Sequence, residues 1–144
     1  MLEELNKCGE CGAEKVDGLS CFERFGTVLS WEATDQELLG LHFWTVACYN
    51  LQHPAQFTDD AIKGLKEVFC EAYDKDVPIS YIRKKMSRLT DGKFKVIKEQ
   101  ASEPKLVKWS MTISDIYNQK QPDRAADRVN QWRKTVREEL DLLL

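Results

Sequence analysis

Three of the five cysteines in this chain fall within one short stretch near its start, and no other feature restricts the fold as much. The cluster reads Cys8-Gly9-Glu10-Cys11-Gly12, then eight residues, then Cys21. Two residues between thiolates let one tight turn aim both sulfurs at a single ion, and a following glycine supplies the positive φ that such a turn needs. Lys7 and Lys15 stand nearby to offset thiolate charge. An odd total of five suits a disulfide scaffold poorly. Cys48 and Cys70 lie singly in apolar helical segments and read as buried small hydrophobes. A structural Zn2+ site is the favoured reading of Cys8, Cys11 and Cys21. A redox dithiol ranks below it, because no strand or βαβ context precedes the motif. An iron–sulfur centre is compatible with the thiolates but nothing in their spacing requires one.

The rest of the chain can pack a core around such a head. Its 144 residues suit one domain, and a domain of that size buries roughly two-thirds of its unfolded surface. A hydrophobic fraction of 42%, with 6 Phe, 4 Trp and 4 Tyr, argues against disorder despite 31% charged residues and a net charge of −3. No stretch approaches the ~20 apolar residues of a membrane helix, and no basic-then-apolar leader opens the chain. The expectation is a cytoplasmic domain over residues 1–144, with a metal-binding head at 1–21 and a helical body at 22–144.

Apolar periodicity predicts that body to be all-α, a bundle of about six helices with a zinc-knuckle-like segment in front. Leu19, Phe22, Phe25, Val28 and Leu29 place a first helix from Ser20 to Trp31. Thr34 and Glu37 form a capping box for a second, running through Leu38, Leu41, His42, Val46 and Tyr49 and stopping before Pro54. Thr58, followed by Asp59 and Asp60, caps a third that carries Ile62, Leu65, Phe69 and Tyr73. Pro78 opens a fourth with Ile79, Ile82, Met86 and Leu89, and Asp91-Gly92 breaks it. Phe94 to Lys98 reads as a short extended piece, and Trp109 as a core plug. A short helix capped by Thr112 or Ser114 then ends near Asn118. Pro122 and Asp123 open the last helix, with the stripe Ala125, Val129, Trp132, Val136 and Leu140.

A four-coordinate site needs one more ligand, and the chain has two histidines, His42 and His53. If the first two helices form an antiparallel hairpin turning near Ala33, Cys21 lies level with residue 45. His42 is then within one turn of it, at ~1.5 Å rise per residue. His53 is two turns further on and reaches the cysteines only if the head folds over the end of the hairpin. The order of preference is therefore His42, then His53, then Cys48. Against a metal role, His42 also reads as a core histidine on a carbonyl. His53 reads equally as a helix C-terminal residue favoured by the dipole.

The string His42-Phe-Trp-Thr-Val-Ala-Cys-Tyr49-Asn-Leu-Gln52-His53-Pro54, downstream of Cys8-x2-Cys11-Gly12 and Cys21, resembles a family of small bacterial proteins of unknown function. Its pattern is a cysteine-rich head, a helix with a His-x6-Tyr-x2-Gln-His-Pro signature and a helical remainder. The likeness extends to Trp109-Ser-Met-Thr-Ile-Ser-Asp115 and the Trp132 helix, covering most of the chain. The resemblance implies a helical fold and a metal site drawing on Cys8, Cys11, Cys21, His42 and His53. It implies no activity and nothing about Cys48 or Cys70.

Other chemistry has little support. No phosphate-binding glycine loop, nucleophile elbow, His-Glu-x-x-His or dinucleotide fingerprint occurs, and the acids are dispersed. The leading expectation is a zinc-stabilised helical binding or regulatory module. A metal-dependent enzyme is the second reading, with Tyr49, Gln52 and His53 lining a cleft, a pocket around His42, Tyr49 and His53, and an open coordination position activating water. A thiol sensor forming a Cys8–Cys11 or Cys11–Cys21 disulfide is the third. From Arg83 to Lys108, nine basic residues face three acidic ones, a net +6, while the remainder carries −9. Such a segment can meet nucleic-acid phosphates, though an acidic protein partner fits it at least as well.

Overall fold

The computed structural model describes residues 7–15, 17–89, 96–117 and 122–143. Among them are seven α-helices and no strand: α1 Cys21–Trp31, α2 Gln36–Gly40, α3 His42–Gln52, α4 Asp59–Lys75, α5 Ile79–Leu89, α6 Ile113–Tyr117 and α7 Ala125–Leu143. A 3-10 turn at Pro54–Gln56 follows α3. The all-α expectation holds. The Asp91-Gly92 break, Phe94 and Asn118 lie outside the described residues.

Local chemistry accounts for the helix starts. Ser20 caps α1 by accepting from the Glu23 amide at 3.2 Å, while the Glu23 carboxylate accepts from the Ser20 amide at 3.1 Å. This reciprocal pair satisfies two otherwise orphaned donors. Thr58 caps α4 by accepting from the Ala61 amide at 3.2 Å. Thr112, rather than Ser114, caps α6: its hydroxyl accepts from the Ser114 amide, and the Asp115 carboxylate accepts from the Thr112 amide.

The second helix departs from expectation. Its cap is Asp35, whose carboxylate accepts from the Leu38 amide at 3.0 Å; the Thr34 hydroxyl instead donates back to the Trp31 carbonyl. At Leu41 the backbone leaves helical dihedrals (φ −101°, ψ 12°), so one predicted helix becomes α2 and α3. His42 thereby becomes the first residue of α3, and His53 the residue just past its end. Eleven residues span ~16 Å, so the two histidines sit at opposite ends of the rod. Nor do α1 and the next helix form the expected hairpin. The main partner of α1 is α6, and its ring contact with α3 is the Phe25–Tyr49 stack, 4.0 Å between centroids.

Burial follows the predicted stripes. Ala125, Val129, Trp132, Val136 and Leu140 are all fully buried on α7, which packs against α2, α3, α4 and α6. Trp109 is buried as expected, and one cluster of buried side chains extends from Cys11 to Leu140. Within it the Met111 carbonyl accepts twice, from the Trp132 indole at 3.1 Å and from the Gln52 amide at 2.8 Å. An isolated bridge between Phe57 and Ile97 is the extended element among residues 96–98, with the Thr58 amide on the Val96 carbonyl and the Lys98 amide on the Gln56 carbonyl, both at 2.9 Å. None of the described helices is long and apolar enough to cross a membrane.

Trp132→Ala removes the largest fully buried side chain among the described residues and the indole bond to Met111. Its expected cost is about 3–5 kcal/mol, read as a lowered urea midpoint by circular dichroism. An unchanged midpoint would mean that α7 does not organise the core.

Candidate metal centre

Four side chains from three separate parts of the chain converge: Cys8 and Cys11 from the N-terminal segment, Cys21 from the first turn of α1, and His53 from the end of α3. One ligand atom from each lies within 4.8 Å of all the others. Cys11, Cys21 and His53 are buried and Cys8 is half-buried.

The first two sulfurs are presented by a tight turn. The Cys8 amide donates to the Ala13 carbonyl at 2.8 Å, and the Gly12 amide to the Cys8 carbonyl at 3.0 Å. Gly12 occupies φ +77°, the left-handed conformation expected after the second cysteine. The Glu10 amide points at Cys8 Sγ, 3.5 Å away, a donor that favours the thiolate form. The turn is fastened from outside as well. The Glu10 carboxylate accepts from the Ala55 amide at 3.1 Å, just beyond His53, and the Glu10 carbonyl accepts from the Val107 amide at 2.9 Å.

Cys21 is the first residue of α1, where the positive end of the helix dipole favours negative charge. Its sulfur lies 3.7 Å from that of Cys11. A tetrahedron with metal–sulfur bonds of ~2.3 Å has edges of about 3.8 Å, so this pair already sits at coordination spacing. The five cysteines are free thiols.

Backbone and ring contacts fix His53. Its Nδ1 donates to the Tyr49 carbonyl at 2.7 Å, which leaves Nε2 as the available ligand atom. Nε2 is buried and has no hydrogen-bond partner among the described residues. The ring stacks on Tyr49 at 4.1 Å, and Tyr49 in turn stacks on Phe25. Burial opposes a charged His53 ring, but the sulfurs of Cys21 and Cys8 and the Tyr49 carbonyl outweigh it and raise its pKa to about 10. Cys8 is driven well below the ordinary thiol range by Cys11 and Cys21, with His53 adding to the effect. Cys21 and Cys8, joined by burial, drive Cys11 far upward. The site thus favours negative charge on Cys8 beside a positively charged His53 ring.

His42, the first choice on helix rise, is not part of this group. Its side chain is 53% exposed, and Nδ1 lies 2.8 Å and 3.0 Å from the two carboxylate oxygens of the buried Glu32. The break at Leu41 and the absence of the hairpin carry it away from Cys21. Cys48 is fully buried in the core, and burial pushes its thiol well up; Cys70 is half-buried. Tyr49 serves the site through its carbonyl and ring face, and Gln52 uses its amide on Met111. Both are buried, as is His53, so they do not line an open cleft. An open apolar groove of about 780 Å³ lies elsewhere, between α2, α3, α4 and α5. His42 lines it, and Tyr49, His53 and the three clustered cysteines do not. Of the basic segment, Arg83, Lys84, Arg88, Lys105 and Lys108 are exposed, while Lys93 and Lys95 lie outside the described residues.

The residues that sequence reasoning passed over are Arg24 and Glu10. Arg24 carried a legible signal, since it shares the core-facing positions of α1 with Cys21, Phe25 and Val28. Glu10 carried none, because its partners at Ala55 and Val107 are remote in sequence.

Fold and site together define an all-helical chain with a Cys3His cluster at its amino-terminal end. A model described as a family of unknown function (DUF5946) matches residues 6–141, and the chain belongs to that family. No curated protein and no solved structure matches it.

Gly12→Ala tests the turn. A Cβ there would meet Leu106 at 3.5 Å, an ordinary contact, so the expected cost of about 1–2 kcal/mol comes from the left-handed backbone alone. Denaturant titration should show that loss; no loss would indicate that the turn relaxes without penalty.

Proposed function

We propose that Cys8, Cys11, Cys21 and His53 hold one Zn2+ ion whose role is structural, and that the chain acts as a binding or regulatory module rather than a metal enzyme. The observation that carries this reading is the buried, partnerless Nε2 of His53 within reach of three sulfurs. A buried polar atom without a partner is costly, and a metal–nitrogen bond satisfies it. Thiolate and imidazole donors suit zinc, and four of them complete a tetrahedron with no position left for water. The Tyr49 carbonyl on Nδ1 supplies the outer support that metal-bound histidines receive.

The ion would fasten residues 1–21 to a helical body over 22–144 as one domain. That fits a segment whose described residues before Ser20 include only two buried side chains, Cys11 and Ala13. Thiolates committed to metal need a reducing compartment, which favours the cytoplasm. The separation of the groove from the four donors supports a non-catalytic ion.

Purified protein should contain one equivalent of zinc. Cys8→Ser, Cys11→Ser, Cys21→Ser and His53→Ala should each lose it, and His42→Ala should keep it. Chelation or acidification should release the ion, since its ligands bind deprotonated, and should lower the Tm. Metal-free wild-type protein with an unchanged Tm would overturn the proposal. Loss of zinc in His42→Ala with retention in His53→Ala would overturn the ligand set.

A further inference from the structure

Arg24 is completely buried, which is rare for an arginine without an anionic partner. Among the described residues no carboxylate lies within ion-pair distance of it. Its Nη2 lies 3.5 Å from Cys21 Sγ, its Nε donates to the Ser20 carbonyl at 3.3 Å, and its Nη1 donates to the Ser114 hydroxyl. The Ser114 hydroxyl in turn donates to the Glu14 carbonyl at 3.3 Å, beside the bridge that pairs Glu14 with Lys7. The guanidinium therefore touches one sulfur of the cluster directly and, through Ser114, the strand-like backbone that carries the other two.

Charge counting gives this placement a purpose. A dication with three thiolates and a neutral imidazole carries a net charge of −1. A buried −1 centre and a buried +1 guanidinium are each unfavourable alone, and together they leave the interior neutral. We infer that Arg24 is the countercharge of the metal–thiolate centre and the residue that positions Cys21, so that a divalent ion is matched to this site by the protein's own fixed charge. The inference rests on the proposed Cys3His reading.

The test loads wild-type protein and variants with zinc, and then with cobalt to follow the sulfur-to-cobalt charge-transfer band. Affinity is read by chelator competition. Arg24→Met keeps length and apolar bulk but removes the charge; it should weaken zinc binding about 10–100-fold and shift the cobalt band. Arg24→Lys, which keeps the charge, should recover most of the affinity. A folded Arg24→Met protein that binds as tightly as wild type overturns the inference while leaving the metal site intact.

Should Arg24→Met fail to fold, the double variant with Cys21→His decides. That ligand set is neutral with a dication and needs no countercharge, so the double variant should fold and bind zinc. If it folds no better than Arg24→Met alone, Arg24 is not a countercharge. Wild-type protein that takes up neither metal overturns the Cys3His reading itself, an outcome visible before any Arg24 variant is made.

Discussion

The structure depends on one convergence: a turn with no regular secondary structure, the first residue of α1 and the residue past α3 place four donor atoms within 4.8 Å. Each component is poorly held without the others. The turn buries two side chains and is tied by a few backbone bonds, including Cys8 to Ala13 and Gly12 to Cys8. Fixing a residue's backbone costs about 1–2 kcal/mol, and hydrophobic burial on this scale does not offset that for a dozen residues. On the structural-zinc reading, a metal cross-link would do so without needing apolar area, which would account for three closely spaced thiols ahead of a body that packs by ordinary amphipathic helices.

Aromatic packing and a carbonyl set the direction of His53. The stack of Phe25, Tyr49 and His53 spans α1, α3 and the segment after α3. The Tyr49 carbonyl accepts from Nδ1 and so selects which nitrogen stays available. Cys21 lies on the same helix face as Phe25, one turn earlier. Packing of α1 against α3 and assembly of the cluster are thus two aspects of one contact. A shift in either helix would separate the sulfur and the nitrogen together.

How much of this was legible in the sequence divides along a physical line. Most local signals were reliable: the knuckle spacing with its glycine, the cap at Thr58 and the stripe on α7 all depend on residues within a few positions of one another, although the cap of the second helix fell on Asp35 rather than Thr34. The seam between α2 and α3 was not legible, because Leu41 continues the apolar periodicity while its backbone leaves the helix. The choice between His42 and His53 needed that seam, together with the docking of α1 on α6 instead of its neighbour. Docking is decided by tertiary packing, which periodicity does not encode. The buried arginine was half legible: its position on the core face of α1 can be read off the helix, but the sulfur and the Ser114 hydroxyl that receive it cannot.

The geometry of α3 shows how a purely structural ion, if bound as proposed, would still matter to the surface of the protein. Phe43, Val46, Ala47 and Asn50 face the apolar groove, while Tyr49 and the residue after Gln52 serve the cluster. The two sets occupy different sides of one rod. On the structural-zinc reading, the ion holds the carboxyl end of α3 against α1, and the Gln52 amide bond ties it to Met111 before α6, whose carbonyl also accepts from the Trp132 indole of α7. On that reading a rod fixed at that end presents its other side in one orientation, because a helix of three turns without a kink curves only gently, with a radius of ~60–100 Å. The shape of the groove is then set by ligands that never touch it. On that reading, with four protein donors and no open coordination position, this mechanical link is the route by which the cluster would reach the surface.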